Sequence, residues 1–170
     1  MSHSYVLSDQ ARAEIDKWVA KYPAGQQKSA ICAAIKFVQE ENGGHIDEPR
    51  LHAIADYLQI APIEAMEVAS FYDMVEMKPI GRYKLAVCTN VSCLICGCGP
   101  IVEHLEKRLG VKMGETTADN MFTLREVECL AACVNAPMLQ VNDKEFHENL
   151  TIEKVDALLD NLIAQAGGNA

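Results

Sequence analysis

Residues 82–98 read RYKLAVCTNVSCLICGC and residues 121–133 read MFTLREVECLAAC. Each stretch begins as a strand and ends in a short loop bounded by two cysteines. Cys88 and Cys93 have four residues between them, Cys129 and Cys133 three. In the first stretch Tyr83, Leu85 and Val87 alternate with Arg82, Lys84 and Ala86, as a strand at the edge of a core should. Because each cysteine pair follows a strand, both pairs are expected to project from the same end of one sheet. A 2Fe-2S cluster needs four thiolates, two for each iron, and two short loops closing from opposite sides supply them economically.

Other cysteines keep alternatives open. Cys93 and Cys96 form a C-x2-C, and Cys98 follows closely, so zinc, a dithiol or a differently ligated cluster must be weighed. Cys88, Cys93 and Cys96 reproduce the C-x4-C-x2-C of plant-type ferredoxins, with Cys129 as a distant fourth ligand. That arrangement leaves Cys133 unexplained and lacks the glycine- and strand-rich surroundings such a domain needs. Structural zinc usually sits between two C-x2-C or C-x2-H knuckles, and the Cys129/Cys133 pair is wider. Spacing alone favours a cluster on Cys88, Cys93, Cys129 and Cys133 without closing the other routes.

Downstream of the first loop, PIVEHLEKRLG puts Ile101, Val102, Leu105 and Leu109 on one helical face and stops at Gly110. After the second loop, MLQV and KEFH, joined at Asn142-Asp143, read as a hairpin. TIEKVDALLDNLIAQ then reads as an amphipathic helix with Ile152, Val155, Leu158, Leu159 and Leu162 inward. The order β-α-β-β-α fits a small sheet covered by helices, with cysteine loops at strand ends as in a thioredoxin-like arrangement.

Upstream of the linker MKPIG the pattern is helical. Ile15, Trp18 and Val19 close a first amphipathic segment before YPAG, and Ile31, Ala34, Ile35 and Val38 stripe a second, which Gly43-Gly44 breaks. Cys32, inside the second segment, reads as a buried small apolar residue. Asp47 can cap a third helix with Pro49 in its first turn and Leu51, Ile54, Ala55 and Leu58 inward. Pro62 opens a fourth, PIEAMEVASFYDMV, with Glu64 and Glu67 near its positive end. His45 and His52 have no partner at metal-site spacing and read as surface or capping residues. Phe71-Tyr72 is ambiguous between packing and docking, with packing the default.

The chain has 170 residues and a formal net charge of -9, which argues against a nucleic-acid partner, since phosphate neutralisation needs a basic face. The start, MSHSYVLSDQAR, has no apolar core of signal-peptide type, and no apolar run reaches membrane-spanning length. The expectation is a protein that stays inside the cell, where seven cysteines are metal ligands or buried thiols rather than a disulfide framework. No G-x-G-x-x-G follows a strand, and GCGPIV lies in the first cysteine loop, so no nucleotide site is expected.

The run from GGHID (43–47) through LHAIADYLQIAPIEAMEVASFYDMVEMKPIGRYKLAVCTNVSC (51–93) resembles the peripheral-arm 2Fe-2S subunit, the E-type subunit of bacteria, of NADH:quinone oxidoreductase, respiratory complex I. The likeness continues through TTADNMFTLREVECLAACVNAPMLQVNDKEFHENLTIEKV (116–155), and its most specific elements are EVASFY, PIGRY, VCTNVSC and ECLAACVNAP. It implies an α+β protein, an N-terminal helical bundle followed by a thioredoxin-like 2Fe-2S ferredoxin domain. The bounds expected are a docking bundle over 1–76, a linker over 77–81, the cluster domain over 82–165 and a flexible tail over 166–170.

The resemblance also implies one 2Fe-2S cluster on Cys88, Cys93, Cys129 and Cys133, with no catalytic residue on this chain. NADH and FMN would be bound by the neighbouring flavoprotein subunit, and the cluster would exchange one electron with that flavin. Attachment to the cytoplasmic side of the inner membrane would be indirect, through the other peripheral-arm subunits. The sequence departs from the family pattern at LICGCG: Cys96 and Cys98 are extra thiols and are expected to be bystanders. Two ferric ions, two sulfides and four thiolates sum formally to about -2. Backbone N–H groups around Thr89, Asn90, Ser92, Gly97 and Gly99 are therefore expected to stabilise the sulfurs. Two other assignments stay in view: the homologous subunit of an NAD(P)-linked hydrogenase or formate dehydrogenase, and a zinc-stabilised interaction module.

Overall fold

The computed structural model describes residues 5–167. The chain divides into two compact units, Met1–Pro79 and Ile80–Ala170, each with its own core.

The first unit is helical: α1 (Asp9–Val19), α2 (Ile31–Glu41), α3 (Glu48–Leu58) and α4 (Pro62–Phe71). The Ser8 hydroxyl caps α1 by accepting the Ala11 N–H, and the Asp47 carboxylate caps α3 by accepting the Arg50 N–H, relieving donors that the helices leave unpaired. Ala11, Ile15, Ala34, Ile35, Val38, Leu51, Ile54, Ala55 and Leu58 form the core with Ala65 and Ala69 of α4. The buried Gln39 fastens the segment after α4: its amide donates to the Met74 carbonyl, and its side-chain oxygen accepts the Glu76 N–H.

Three expectations fail in this unit. Cys32 is exposed, because the stripe through positions 31, 34, 35 and 38 leaves the residue after Ile31 about 100° round the helix. Phe71 and Tyr72 are not packed inside: Phe71 is 77 % exposed and Tyr72 43 %, their rings edge to face at 5.1 Å. The apolar α4 turns its alanines, Ala65 and Ala69, to the core and leaves the aromatics outside. It also ends at Phe71, short of the Asp73-Met74-Val75 included in the expected helix.

The second unit contains β1 (Tyr83–Cys88), a short helix α5 (Val91–Ile95), α6 (Cys98–Leu109), β2 (Phe122–Val127), β3 (Leu139–Val141), β4 (Glu145–His147) and α7 (Ile152–Gly167). The sheet order is β2-β1-β3-β4. β1 and β2 are parallel, joined across α5 and α6, whereas β3 and β4 are antiparallel additions. Both hairpin arms join the sheet, so it has four strands where the order β-α-β-β-α allots three. β1 lies between β2 and β3 and is buried on both faces rather than at the edge of a core.

Tyr83, Leu85, Val87, Phe122, Leu124, Leu139 and Val141 pack with Ile101 and Leu105 of α6 and with Val155, Leu158, Leu159 and Leu162 of α7. Burying each such side chain contributes about 1.5–3 kcal/mol. Ile152, expected inward, is 42 % exposed, since it begins α7 ahead of the packed turns. Asn142 and Asp143 both take left-handed φ angles, 52° and 56°, at the centre of a tight turn closed by the Lys144 N–H on the Val141 carbonyl, with three residues between the paired Val141 and Glu145. The turn folds back on β1: the Asn142 side-chain oxygen accepts the Lys84 N–H at 2.7 Å, and Asp143 pairs with the buried Lys84 ammonium at 2.7 Å. α7 continues through Gly167, into the stretch expected as tail, while 168–170 lie outside the described residues.

Gly81, in the PIGRY motif, allows a close approach of two segments of the backbone. A Cβ there would stand 2.8 Å from the Phe122 carbonyl carbon and 2.9 Å from its nitrogen. Gly81→Ala is therefore expected to destabilise the second unit by about 1–3 kcal/mol. Denaturant unfolding followed by circular dichroism checks this.

Candidate metal centre

The parallel register sets Cys88 opposite Val127, so β1 and β2 release both cysteine loops from the same end of the sheet. The Thr89 N–H donates to the Val127 carbonyl at 3.2 Å, and the Cys88 Sγ lies 3.5 Å from the carbonyl oxygen of Glu128, the residue before Cys129. Side chains fasten one loop to the other. The Thr89 hydroxyl donates to Glu126 at 2.7 Å, and the Asn90 amide donates to Glu128 at 3.2 Å. The sequence pattern marked Thr89 and Asn90 only for their backbones and did not single out Glu126 or Glu128. The missing signal was the strand register, which pairs these positions across the sheet.

The two pairs differ in surroundings. Asn90 starts α5, its side-chain oxygen accepting the Val91 N–H at 2.6 Å, and α5 carries Cys93 inward. Cys88 and Cys93 are buried in one cluster with Cys98 and Met138, closed by Val127, Leu130, Ala132 and Ala136. Cys129 and Cys133 are exposed. Ala131, between them, has φ 59° and donates its N–H to Cys129 Sγ at 3.3 Å, bending the loop about that sulfur. Cys133 opens a 3-10 turn, Cys133–Asn135. Cys96 is exposed.

Burial, then hydrogen bonding to Cys88, pushes the Cys93 thiol up to about 12, against a backbone N–H from Met138 that favours the thiolate. Burial also pushes the Cys98 thiol up, with Cys88 adding to it. The Cys93 thiol stays protonated until a metal ion replaces its proton, so metal uptake there releases a proton. Among the described residues, no group of three or more His, Cys, Asp or Glu side chains is drawn together to hold a metal ion. The inner pair is together, and the outer pair faces solvent on the adjoining loop.

A 2Fe-2S cluster fits this donor set. Its demand is two thiolates per iron, and each loop offers two, with one sulfur already beside the other loop's chain. The rim of the centre is apolar: Val91, Leu94, Ile95 and Val134 are exposed, Ile95 at 80 % and Val134 at 96 %. No helix among the described residues is long and apolar enough to cross a membrane.

Residues 15–163 match the model of the thioredoxin-like [2Fe-2S] ferredoxin family. The chain is 43% identical over 142 residues to the E-type NADH-quinone oxidoreductase subunit of Rickettsia felis, covering 84% of each chain. It is 43% identical over 153 residues to the E-type NADH-quinone oxidoreductase subunit numbered 2 of Rhizobium meliloti, covering 90% of this chain and 89% of that one. Against the mitochondrial NADH dehydrogenase [ubiquinone] flavoprotein 2 of Dictyostelium discoideum identity is 44%, over 88% of this chain and 60% of the relative. Among solved structures, a chain of the air-oxidized NAD+-reducing [NiFe]-hydrogenase shares the fold, with a TM-score of 0.65 and 22% identity over 77% of this chain and 23% of that one.

Proposed function

The chain belongs to the thioredoxin-like [2Fe-2S] ferredoxin family, and from that premise we propose that it is the electron-transfer subunit of an NADH:quinone oxidoreductase. In this reading Cys88, Cys93, Cys129 and Cys133 hold one 2Fe-2S cluster, which exchanges a single electron with the FMN of the adjacent NADH-binding flavoprotein subunit. The observation that carries it is the parallel register of β1 and β2, with both cysteine loops leaving the same end of the sheet.

When bound, the cluster supplies one-electron chemistry with little change of shape. The chain's own residues do the rest. β1 and α5 keep Cys88 and Cys93 away from water, which sharpens every charge and dipole near them. The Met138 N–H, which favours the Cys93 thiolate, and the Ala131 N–H that donates to Cys129 Sγ act on both loops. Glu126 and Glu128, bound to Thr89 and Asn90, brace the loops but add negative charge, which opposes reduction. The exposed apolar rim supports a partner surface over the centre, where exclusion of water would favour transfer. The assembly is the peripheral arm of the complex, on the cytoplasmic side of the inner membrane and joined to it through other subunits.

The shared fold of the NAD+-reducing hydrogenase chain keeps a second assembly in view, an NAD(P)-linked hydrogenase or formate dehydrogenase. Identity is much higher to the NADH-quinone oxidoreductase relatives, and neighbouring genes decide the matter. The full chain, purified anaerobically, is expected to contain iron and labile sulfide in equal amounts yet not to oxidise NADH. Adding the flavoprotein subunit should make the cluster reducible by NADH. NADH:ferricyanide activity from the pure single chain would contradict this division of labour.

A further inference from the structure

We propose that Cys98 is a positioning residue for this centre: its buried thiol donates a hydrogen bond to the sulfur of Cys88 and makes the reduced state easier to reach. The inference rests on the ligand reading above, in which Cys88 and Cys93 bind the cluster as thiolates.

Cys96 and Cys98 look alike in the sequence, but the fold separates them. Cys96 follows α5 and is exposed, whereas Cys98 is the first residue of α6 and 1 % exposed. Gly97 between them has φ 91° with no atom within 4 Å of the position a Cβ would take. It is needed there for its backbone angle rather than for space. That angle ends one helix, starts the next and turns Cys98 into the cluster of buried sulfurs with Cys88 and Cys93.

Metal binding removes the thiol protons of Cys88 and Cys93. Among the described residues Cys98 is the one buried cysteine outside the ligand set. The other side chains that close the pocket, Val127, Leu130, Ala132, Ala136 and Met138, carry no nitrogen or oxygen acceptor. Among the side chains of this buried cluster a ligand thiolate is the strongest acceptor. It gains negative charge on reduction, so a hydrogen bond to it stabilises the reduced form more than the oxidised form.

Full-length Cys98→Ala, Cys98→Ser and Cys96→Ala chains carry the test. The readouts are potentiometric titration followed by electron paramagnetic resonance, iron and sulfide content, and resonance Raman spectra in light and heavy water. All three variants should keep wild-type iron and sulfide. The Cys98→Ala potential should fall below wild type, Cys98→Ser should stay at or above it, and Cys96→Ala should not move. The Fe–S(Cys) bands of wild type should shift in heavy water more than those of Cys98→Ala. A Cys98→Ala potential equal to wild type, or an equal fall in Cys96→Ala, overturns the inference. Iron lost from Cys98→Ala would make Cys98 a ligand and overturn it too. If the alanine chain does not fold, a Cys98→Ser potential below wild type is the contrary result. A wild-type chain without iron and sulfide sinks the ligand reading as well, whereas a normal cluster with unmoved potentials sinks this inference alone.

Discussion

Serine in place of Cys88, Cys93, Cys129 or Cys133 is expected to abolish the cluster or alter its spectrum severely, while serine at Cys32, Cys96 or Cys98 should leave iron content nearly unchanged. An alkoxide is a poorer and shorter ligand than a thiolate, and each iron has only two protein sulfurs to lose. Effects should be graded by loop. Cys88 and Cys93 lie buried among apolar side chains, where a hydroxyl without a metal or a partner costs about 1–3 kcal/mol, so these variants should lose stability as well as iron. Cys129 and Cys133 are exposed, and their serine variants should lose iron while unfolding at nearly the denaturant concentration of the iron-free wild-type chain. If Cys96→Ser removed the spectrum and Cys133→Ser preserved it, a ferredoxin-type ligand set would be correct instead.

A chain beginning at Lys78 is expected to keep its cluster and lose most of its affinity for the flavoprotein subunit. The break lies next to the division at Pro79 and Ile80. It retains Gly81, whose backbone abuts Phe122, together with the whole core under β1, α6 and α7. What it removes is the helical unit and the exposed aromatic pair Phe71 and Tyr72. Aromatic anchors dominate many interfaces, where a single truncation to alanine costs about 2 kcal/mol or more. That corresponds to roughly a thirtyfold loss of affinity for Tyr72→Ala, measured on a variant whose circular dichroism matches wild type. Calorimetric affinity of the shortened chain equal to that of the full chain would remove the docking role from the helical unit.

The elements of the fold were readable because their patterns are local. The stripe Leu51, Ile54, Ala55, Leu58 and its Asp47 cap, the face Ile101 and Leu105 ending at Gly110, and the Asn142-Asp143 turn each need only a short window of chain. What eluded the sequence depends on neighbours far away in it. β1 read as a strand at the edge of a core because alternation records one apolar face, but Lys84 and Ala86 on its other face are buried as well. Phe71 and Tyr72 read as core by default because the apolar residues of α4 are spread round the helix, and only the packing of Ala65 and Ala69 decides which side faces in. Around the cysteines, the spacing drew attention to the candidate sulfurs. The Thr89–Glu126 and Asn90–Glu128 bonds and the burial of Cys98 follow from strand register and the Gly97 backbone angle, which no spacing rule encodes.

Electron paramagnetic resonance of the full chain reduced anaerobically with dithionite, on a sample assayed for iron, zinc and labile sulfide, tests the central claim most directly. A pair of irons sharing one added electron gives a half-integer-spin signal, and the account predicts that signal at about one spin per chain, with iron and sulfide in equal amounts. Stoichiometric zinc, no sulfide and no signal would show a structural metal site in place of an electron carrier.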